Sequence, residues 1–308
     1  MPPSVKSDNE DQAPRLWTPG GRSFPEGDTL DDVVAAHLIY LQVCEPTQLA
    51  LFETRLKQNP DAAQAEAVVF AWLRAEKLAP SINEKPGQTG ADFLCTPANA
   101  IPFLVEVTSL HPVSITNKSR WLERDRIDGV ARHFSMITPE LAAKARDKAP
   151  QLGARQDVMP GILAICVKHP FGAVLMSRLA AQWLIVSNPK IRVPLEAAEG
   201  TRPNVQTAVD FEYSAFLEPQ DGAIVPVRQS ISAILLISLW KSQCEIVGML
   251  HPQPGIALDY HLLPEVPFLR IQWPIAASVQ TEWIIAHPAP HTASYAPVTL
   301  TDDELKKN

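Results

Sequence analysis

Gly90–Leu110, GADFLCTPANAIPFLVEVTSL, consists of two apolar runs on either side of a loop that contains Pro97 and Asn99. Each run carries one acid among apolar residues: Asp92 in Ala-Asp-Phe-Leu, and Glu106 in Leu-Val-Glu-Val-Thr. Side chains on a strand alternate between faces. Glu106 and Thr108 therefore share a face with Leu104 and Leu110, while Phe103, Val105 and Val107 take the other. Pairing across a three-residue loop centred on Asn99 sets Asp92 opposite Glu106 on that same face. Two carboxylates meeting there repel and resist desolvation unless a cation lies between them. The pattern predicts a divalent-metal site with Asp92 and Glu106 as ligands.

Upstream of this hairpin, Asn59-Pro60-Asp61 is a helix start, with Asn as cap and Pro in the first turn. The helix is expected to run to about Leu78 and to stop before Pro80. Its apolar stripe takes Ala62, Ala63, Val69, Phe70 and Leu73, and Glu66 falls in the middle of it. A carboxylate on a buried face needs a partner. Glu66 either pairs with a nearby Arg at the rim of the core or is a third acid directed at the metal. Further upstream, Asp31–Leu41 reads as a helix with acids in its first turn, Pro46 interrupts, and Gln48–Lys57 forms another. Residues 1–28, with five prolines and three glycines, read as a flexible arm.

Downstream, Lys118–Ile137 is a basic, mostly helical segment, and Thr138-Pro139-Glu140 caps a second helix, ELAAKARDKA. That helix carries Lys144 and Lys148 one turn apart, and Pro150 is expected to end or kink it beside Gln151. Ile162–Val167 and Ile231–Trp240 are continuous apolar runs of the kind buried on both faces in the middle of a sheet. Met176–Val186 reads as an amphipathic helix, Glu245–Leu250 and Phe268–Trp273 as edge strands, and residues 276–308 as an irregular tail. The order of elements predicts an α/β domain over 59–275, a mixed central sheet flanked by helices, with residues 29–58 as a helical extension.

Composition narrows the function. No apolar run reaches the ~20 residues that span a bilayer, and the polar, Pro-rich start reads as neither signal nor transit peptide, so a cytoplasmic protein is expected. Cys44, Cys95, Cys166 and Cys244 are scattered, three of them in apolar runs, as buried free thiols would be. Net charge is −7, yet Lys118–Arg155 is +4, with nine Lys/Arg against five acids. Such a basic face on an acidic body suits contact with phosphate on one side, or is simply a solvated helix face. Trp121 between Arg120 and Arg124 is placed to stack on a base, or else to anchor its helix to the core. His287-Pro-Ala-Pro-His291 has the look of a metal pair, but prolines hold it extended with no acid nearby, and it reads as tail. No GxSxG, Walker A or GxGxxG stretch occurs.

With these residues in place the chain resembles the PD-(D/E)xK, or restriction-endonuclease-like, nuclease superfamily over roughly residues 60–275. Glu66 matches the helix acid of that core, Asp92 the motif Asp and Glu106 the second acid. More narrowly it is similar to uncharacterised bacterial proteins whose second strand reads Glu-Val-Thr. In those, a later helix carries Lys before Gln-Leu and a Pro–apolar strand follows, as in Lys148-Ala149-Pro150-Gln151-Leu152 and Pro160–Ile165 here. The resemblance implies a restriction-endonuclease-like fold and hydrolysis of nucleic acid, DNA before RNA, with Mg²⁺ or Mn²⁺ on the two acids. No membrane partner is expected from the lack of a spanning apolar run, and a homodimer stays open. It also implies Lys148 or Lys144 in the cationic role, since Thr108 stands where the superfamily has its Lys. Arg120, Trp121, Arg124 and Gln151 are the expected nucleic-acid contacts. The alternative is the same fold with a degenerate site, acting as a nucleic-acid or protein binding module.

Overall fold

The structure, a computed structural model, describes residues 22–84, 90–111, 130–153, 158–186, 189–192, 206–209, 211–240, 243–275 and 279–285. A two-residue strand, β1 (Arg22–Ser23), precedes three helices, α1 (Leu30–Cys44), α2 (Pro46–Gln58) and α3 (Pro60–Ala75). A capping box starts α1: Thr29 Oγ1 accepts from the Asp32 N–H at 3.2 Å, and the Asp32 carboxylate accepts from the Thr29 N–H at 2.9 Å. Pro46 and Pro60 each occupy the first helical position, where a missing N–H costs nothing. The segment after β1 is fastened to α3, because Phe24 is buried in the same core and Glu26 pairs with Arg74 at 3.1 Å.

Next come β2 (Pro80–Ile82), β3 (Phe93–Cys95), β4 (Phe103–Leu110), α4 (Val130–Gly153) and β5 (Gly161–Lys168). Two short helices, α5 (Gly172–Leu175) and α6 (Arg178–Val186), lead to the paired strands β6 (Pro189–Arg192) and β7 (Gln206–Val209), and to the hairpin β8 (Leu217–Gln220) and β9 (Ala223–Pro226). The chain then re-enters the main sheet through β10 (Ala233–Trp240), β11 (Gln243–Leu250), β12 (Phe268–Ile271) and β13 (Thr281–Ile284).

The main sheet is mixed, in the order β13-β12-β11-β10-β5-β4-β3-β2. Its middle, β4-β5-β10, is parallel, and β2 and β3 continue it antiparallel. Both faces are covered, so the central strands read as unbroken apolar runs. One face carries Phe103, Val105, Val107, Ile162 and Ala164 beneath α1–α3. The other carries Leu104, Leu110, Leu163 and Ile165 beneath α4–α6. The alternation expected along β4 is thus the alternation seen, with Glu106 on the α4 side. At Gly248, an added Cβ would stand 2.3 Å from the Phe268 ring of the neighbouring strand, which only glycine admits.

Several expectations are corrected. The β3–β4 loop takes seven residues rather than three, since pairing ends at Cys95↔Phe103. Helix α4 runs unbroken through Pro139 and Pro150 to Gly153, so Thr138 does not start a new helix and Lys148 is five residues from the end. Ile137, Leu141, Ala145 and Leu152 are buried against the sheet, and that packing outweighs the local cost of each proline. Neither β11 nor β12 is an edge strand, because β13 forms from what was read as irregular tail. Arg22–Ser23, inside the expected arm, pairs with β11. Cys95, Cys166 and Cys244 are buried and Cys44 is exposed, and none of the four is in a disulfide. Among the described residues no helix is long and apolar enough to cross a membrane.

Candidate metal centre

The β3–β4 ladder pairs Phe93 with Val105, so one step further Asp92 stands opposite Glu106. The strand ends there, and the Asp92 carboxylate takes over from the ladder: its Oδ2 accepts the Val107 backbone N–H at 2.7 Å. The Asn83 N–H donates to the Asp92 carbonyl at 2.8 Å, which ties the position to β2. Asp92 is thereby held at both backbone and side chain, with its second oxygen outside that bond.

Glu106 lies in the middle of β4 and is 2% exposed. Its Oε1 accepts from Lys148 Nζ at 2.7 Å, and Lys148 Nζ also donates to Gln151 Oε1 at 3.2 Å. Helical spacing explains the reach. Leu141, Ala145, Lys148 and Leu152 form one inward stripe of α4, and Lys148 is its charged member. The other carboxylate oxygen of Glu106, Oε2, is buried with no hydrogen-bond partner among the described residues. A buried acceptor left open in this way carries the full cost of its desolvation.

The remaining acids lie on the α1–α3 side. Glu66 Oε2 is 3.3 Å from Arg55 Nη1, and the same Nη1 donates to Glu84 Oε2 at 2.8 Å. Glu66 also lines a cleft with Asp92, Glu84, Arg55, His37 and Gln48. Its volume is about 10 Å³, the lower limit for one water molecule. Glu66 thus pairs with an arginine, as one of its two readings expects, and shares a cleft lining with Asp92.

The electrostatics follow from this crowding. Burial, then the charge of Asp92, pushes the Glu106 carboxyl up to about 8 against the pull of Lys148. Burial and Asp92 likewise push Glu66 up to about 8, with Arg55 opposing. Burial pushes Asp92 up to about 6, opposed first by its Val107 hydrogen bond. Four acids share two basic side chains here, so an added cation would relieve all of them.

The expected site residues divide accordingly. Asp92, Glu106, Lys148 and Gln151 come together, with Glu66 on the neighbouring cleft. Thr108 is buried two residues along from Glu106 on the same strand face. Lys144, half-buried one turn before Lys148, makes no hydrogen bond or ion pair with these acids among the described residues. Arg120, Trp121 and Arg124, and the pair His287 and His291, lie outside the described residues. Two groups escaped the sequence reading, Arg55 and Glu84. The signal for Arg55 was indirect: a buried Glu66 demanded a basic partner.

An Mg²⁺ or Mn²⁺ ion would find only oxygen donors on Asp92 and Glu106, and Glu106 Oε2 is an open buried acceptor. Among the described residues no three His, Cys, Asp or Glu side chains converge as a ligand cluster. Two carboxylates still fit Mg²⁺, which keeps several waters and commonly takes one or two protein carboxylates. Comparison with protein-family models, curated proteins and solved structures finds no match to this chain.

Proposed function

We propose that the chain is a divalent-cation-dependent phosphodiesterase acting on nucleic acid, with DNA as the favoured substrate. The observation that carries this reading is the pair Asp92 and Glu106, opposed in register, with one Glu106 oxygen on Lys148 and the other buried and open. The order helix α3, antiparallel β2-β3-β4, helix α4 and parallel β5 also agrees with the restriction-endonuclease-like core that the sequence resembles.

In this reading Asp92 and Glu106 hold Mg²⁺ or Mn²⁺, which when bound supplies a positive centre for the charge that develops on a phosphate. The Val107 N–H holds one Asp92 oxygen, and the other is the one offered to the ion. Lys148 takes the cationic role left open by Thr108 at 108. Its Nζ, a donor with three hydrogens, holds Glu106 and Gln151 and keeps one to orient water or a phosphate oxygen. Thr108 offers a hydroxyl on the same face as an outer contact. Glu66 is a helper acid at the cleft.

The test is hydrolysis of plasmid and single-stranded substrates with Mg²⁺ or Mn²⁺. Asp92→Ala and Glu106→Gln are each expected to lower the rate by at least about a hundredfold. Activity in Asp92→Ala equal to that of the natural chain removes this site from the account.

One observation favours a second reading, a catalytically degenerate binding module. Lys148 is already engaged by Glu106 and Gln151, and Thr108 carries no charge. That reading expects no hydrolysis, no Mg²⁺ binding that depends on Glu106, and DNA binding, if any, that weakens linearly on a logarithmic salt scale.

A further inference from the structure

We infer that Arg55, contributed by α2, decides which acids are open to a cation. It holds Glu66 and Glu84 as its own partners and restricts the metal to Asp92 and Glu106. The inference deepens the metal-centre reading and rests on it for the identity of the wild-type ligands. Arg55 Nη1 bridges the two carboxylates, at 2.8 Å from Glu84 Oε2 and 3.3 Å from Glu66 Oε2. The bridge is built from outside the α3–β5 core. Gln48, two turns earlier on α2, donates through Nε2 to the Glu84 carbonyl at 2.9 Å, so Glu84 is gripped at both backbone and side chain. Phe52 between them is 1% exposed, which seats the helix on the cleft.

The consequence is a division of labour among four acids. Glu66, Glu84 and Asp92 line one cleft, and each is an oxygen donor of the kind a hard cation takes. Arg55 Nη1 sits on two of them, and among the described residues no three acids converge as a ligand cluster. The Arg55 guanidinium acts as a fixed resident charge that an incoming metal must displace. Helices α1 and α2 are then a wall of the site rather than an appendage to it.

The experiment is Mn²⁺ binding to the full chain, by calorimetry and by the loss of free-ion paramagnetic resonance signal. The variants are Arg55→Gln, Arg55→Lys, Arg55→Gln with Glu66→Gln and Glu84→Gln, and Glu106→Gln. Arg55→Gln is expected to bind Mn²⁺ at least about tenfold tighter, or with one more ion per chain, because a fixed charge beside the ions is gone. Arg55→Lys should bind as the natural chain does, and the triple variant should lose the gain. Arg55→Gln binding equal to or weaker than the natural chain, at the same folded fraction by circular dichroism, overturns the inference. So does a gain that survives in the triple variant. Should Arg55→Gln not fold, Arg55→Lys decides: a gain there overturns it, and unchanged binding, with a gain in Arg55→Ala or Arg55→Met, supports it. A natural chain that binds no Mn²⁺ refutes the metal-centre reading alone, since the gain on Arg55→Gln and its loss with Glu66 and Glu84 are still read.

Discussion

Two buried polar regions of this protein obey different rules. At the N-terminal ends of β5 and β10, the buried side chains of Ser230, Ser232 and His251 close on partners. Ser232 Oγ accepts the Gly161 N–H at 3.1 Å and donates to the Ile256 carbonyl at 2.7 Å, and Ser230 Oγ donates to the Ala149 carbonyl at 2.9 Å. His251 Nδ1 accepts from the Gln253 N–H at 3.0 Å, which leaves Nε2 to donate to the Val227 carbonyl at 2.8 Å. Around Asp92 and Glu106 the ledger stays open: Glu106 Oε2, Gln48 Oε1, Arg55 Nε and His37 Nδ1 are all buried without partners among the described residues. The first network closes on itself, whereas the second leaves buried polar atoms open among the described residues.

The comparison makes graded predictions. The largest concerns cation response. If Mg²⁺ binds as proposed, an ion concentration a hundredfold above its dissociation constant stabilises the natural chain by about 2.7 kcal/mol and leaves Glu106→Gln unmoved in chemical denaturation. A response in Glu106→Gln would place the ion elsewhere. Second, Ser232→Val strands the Gly161 N–H and the Ile256 carbonyl and should cost about 2 kcal/mol, whereas Glu106→Gln without metal should be neutral or stabilising. Urea midpoints for the two variants read the contrast directly.

Third, the regions should titrate with opposite sign. Burial pushes His251 down to about 4, so the unfolded chain takes its proton first. Its contribution is whole above about 6.5 and is lost as pH falls toward 4, at about 1 kcal/mol between pH 6 and pH 5. Glu66 and Glu106 are pushed up to about 8, so the unfolded chain releases their protons first. Their contribution is present below about 4.5 and lost as pH rises through 8. Metal-free stability measured against pH should show both limbs, and Glu106→Gln should flatten only the alkaline one. The smallest effect belongs to Lys144, which has no contact with the acids: Lys144→Ala should change stability by less than about 0.5 kcal/mol.

The sequence exposed some of this and hid the rest for physical reasons. Asp92 and Glu106 were legible because antiparallel register depends on where the loop is centred, not on its length. Asn99 remains the centre of the longer loop. Lys148 was legible as one of two lysines, but choosing it over Lys144 needed the sheet beneath α4. Strand β2 was hidden because it is three residues long and starts with Pro, which reads as a stop. Strand β13 was hidden by the prolines around it, and the local signal of Thr138-Pro139-Glu140 masked a helix held together by tertiary packing. Arg55 and Glu84 carry no motif at all; only the folded chain brings them within reach of Glu66.

The edge of β11 is divided between two neighbours: β1 takes Gln243 and Cys244, and β12 takes Gly248 and Met249. The opening strand thus works as a tether. It moors the far end of the sheet to the segment that, through Phe24 and the Glu26–Arg74 pair, leads into α1 and α2. A chain shortened past Ser23 would leave a short open edge on β11 and slacken the helices that carry Arg55. The loss of that two-residue strand would then be felt at Glu66 and Glu84.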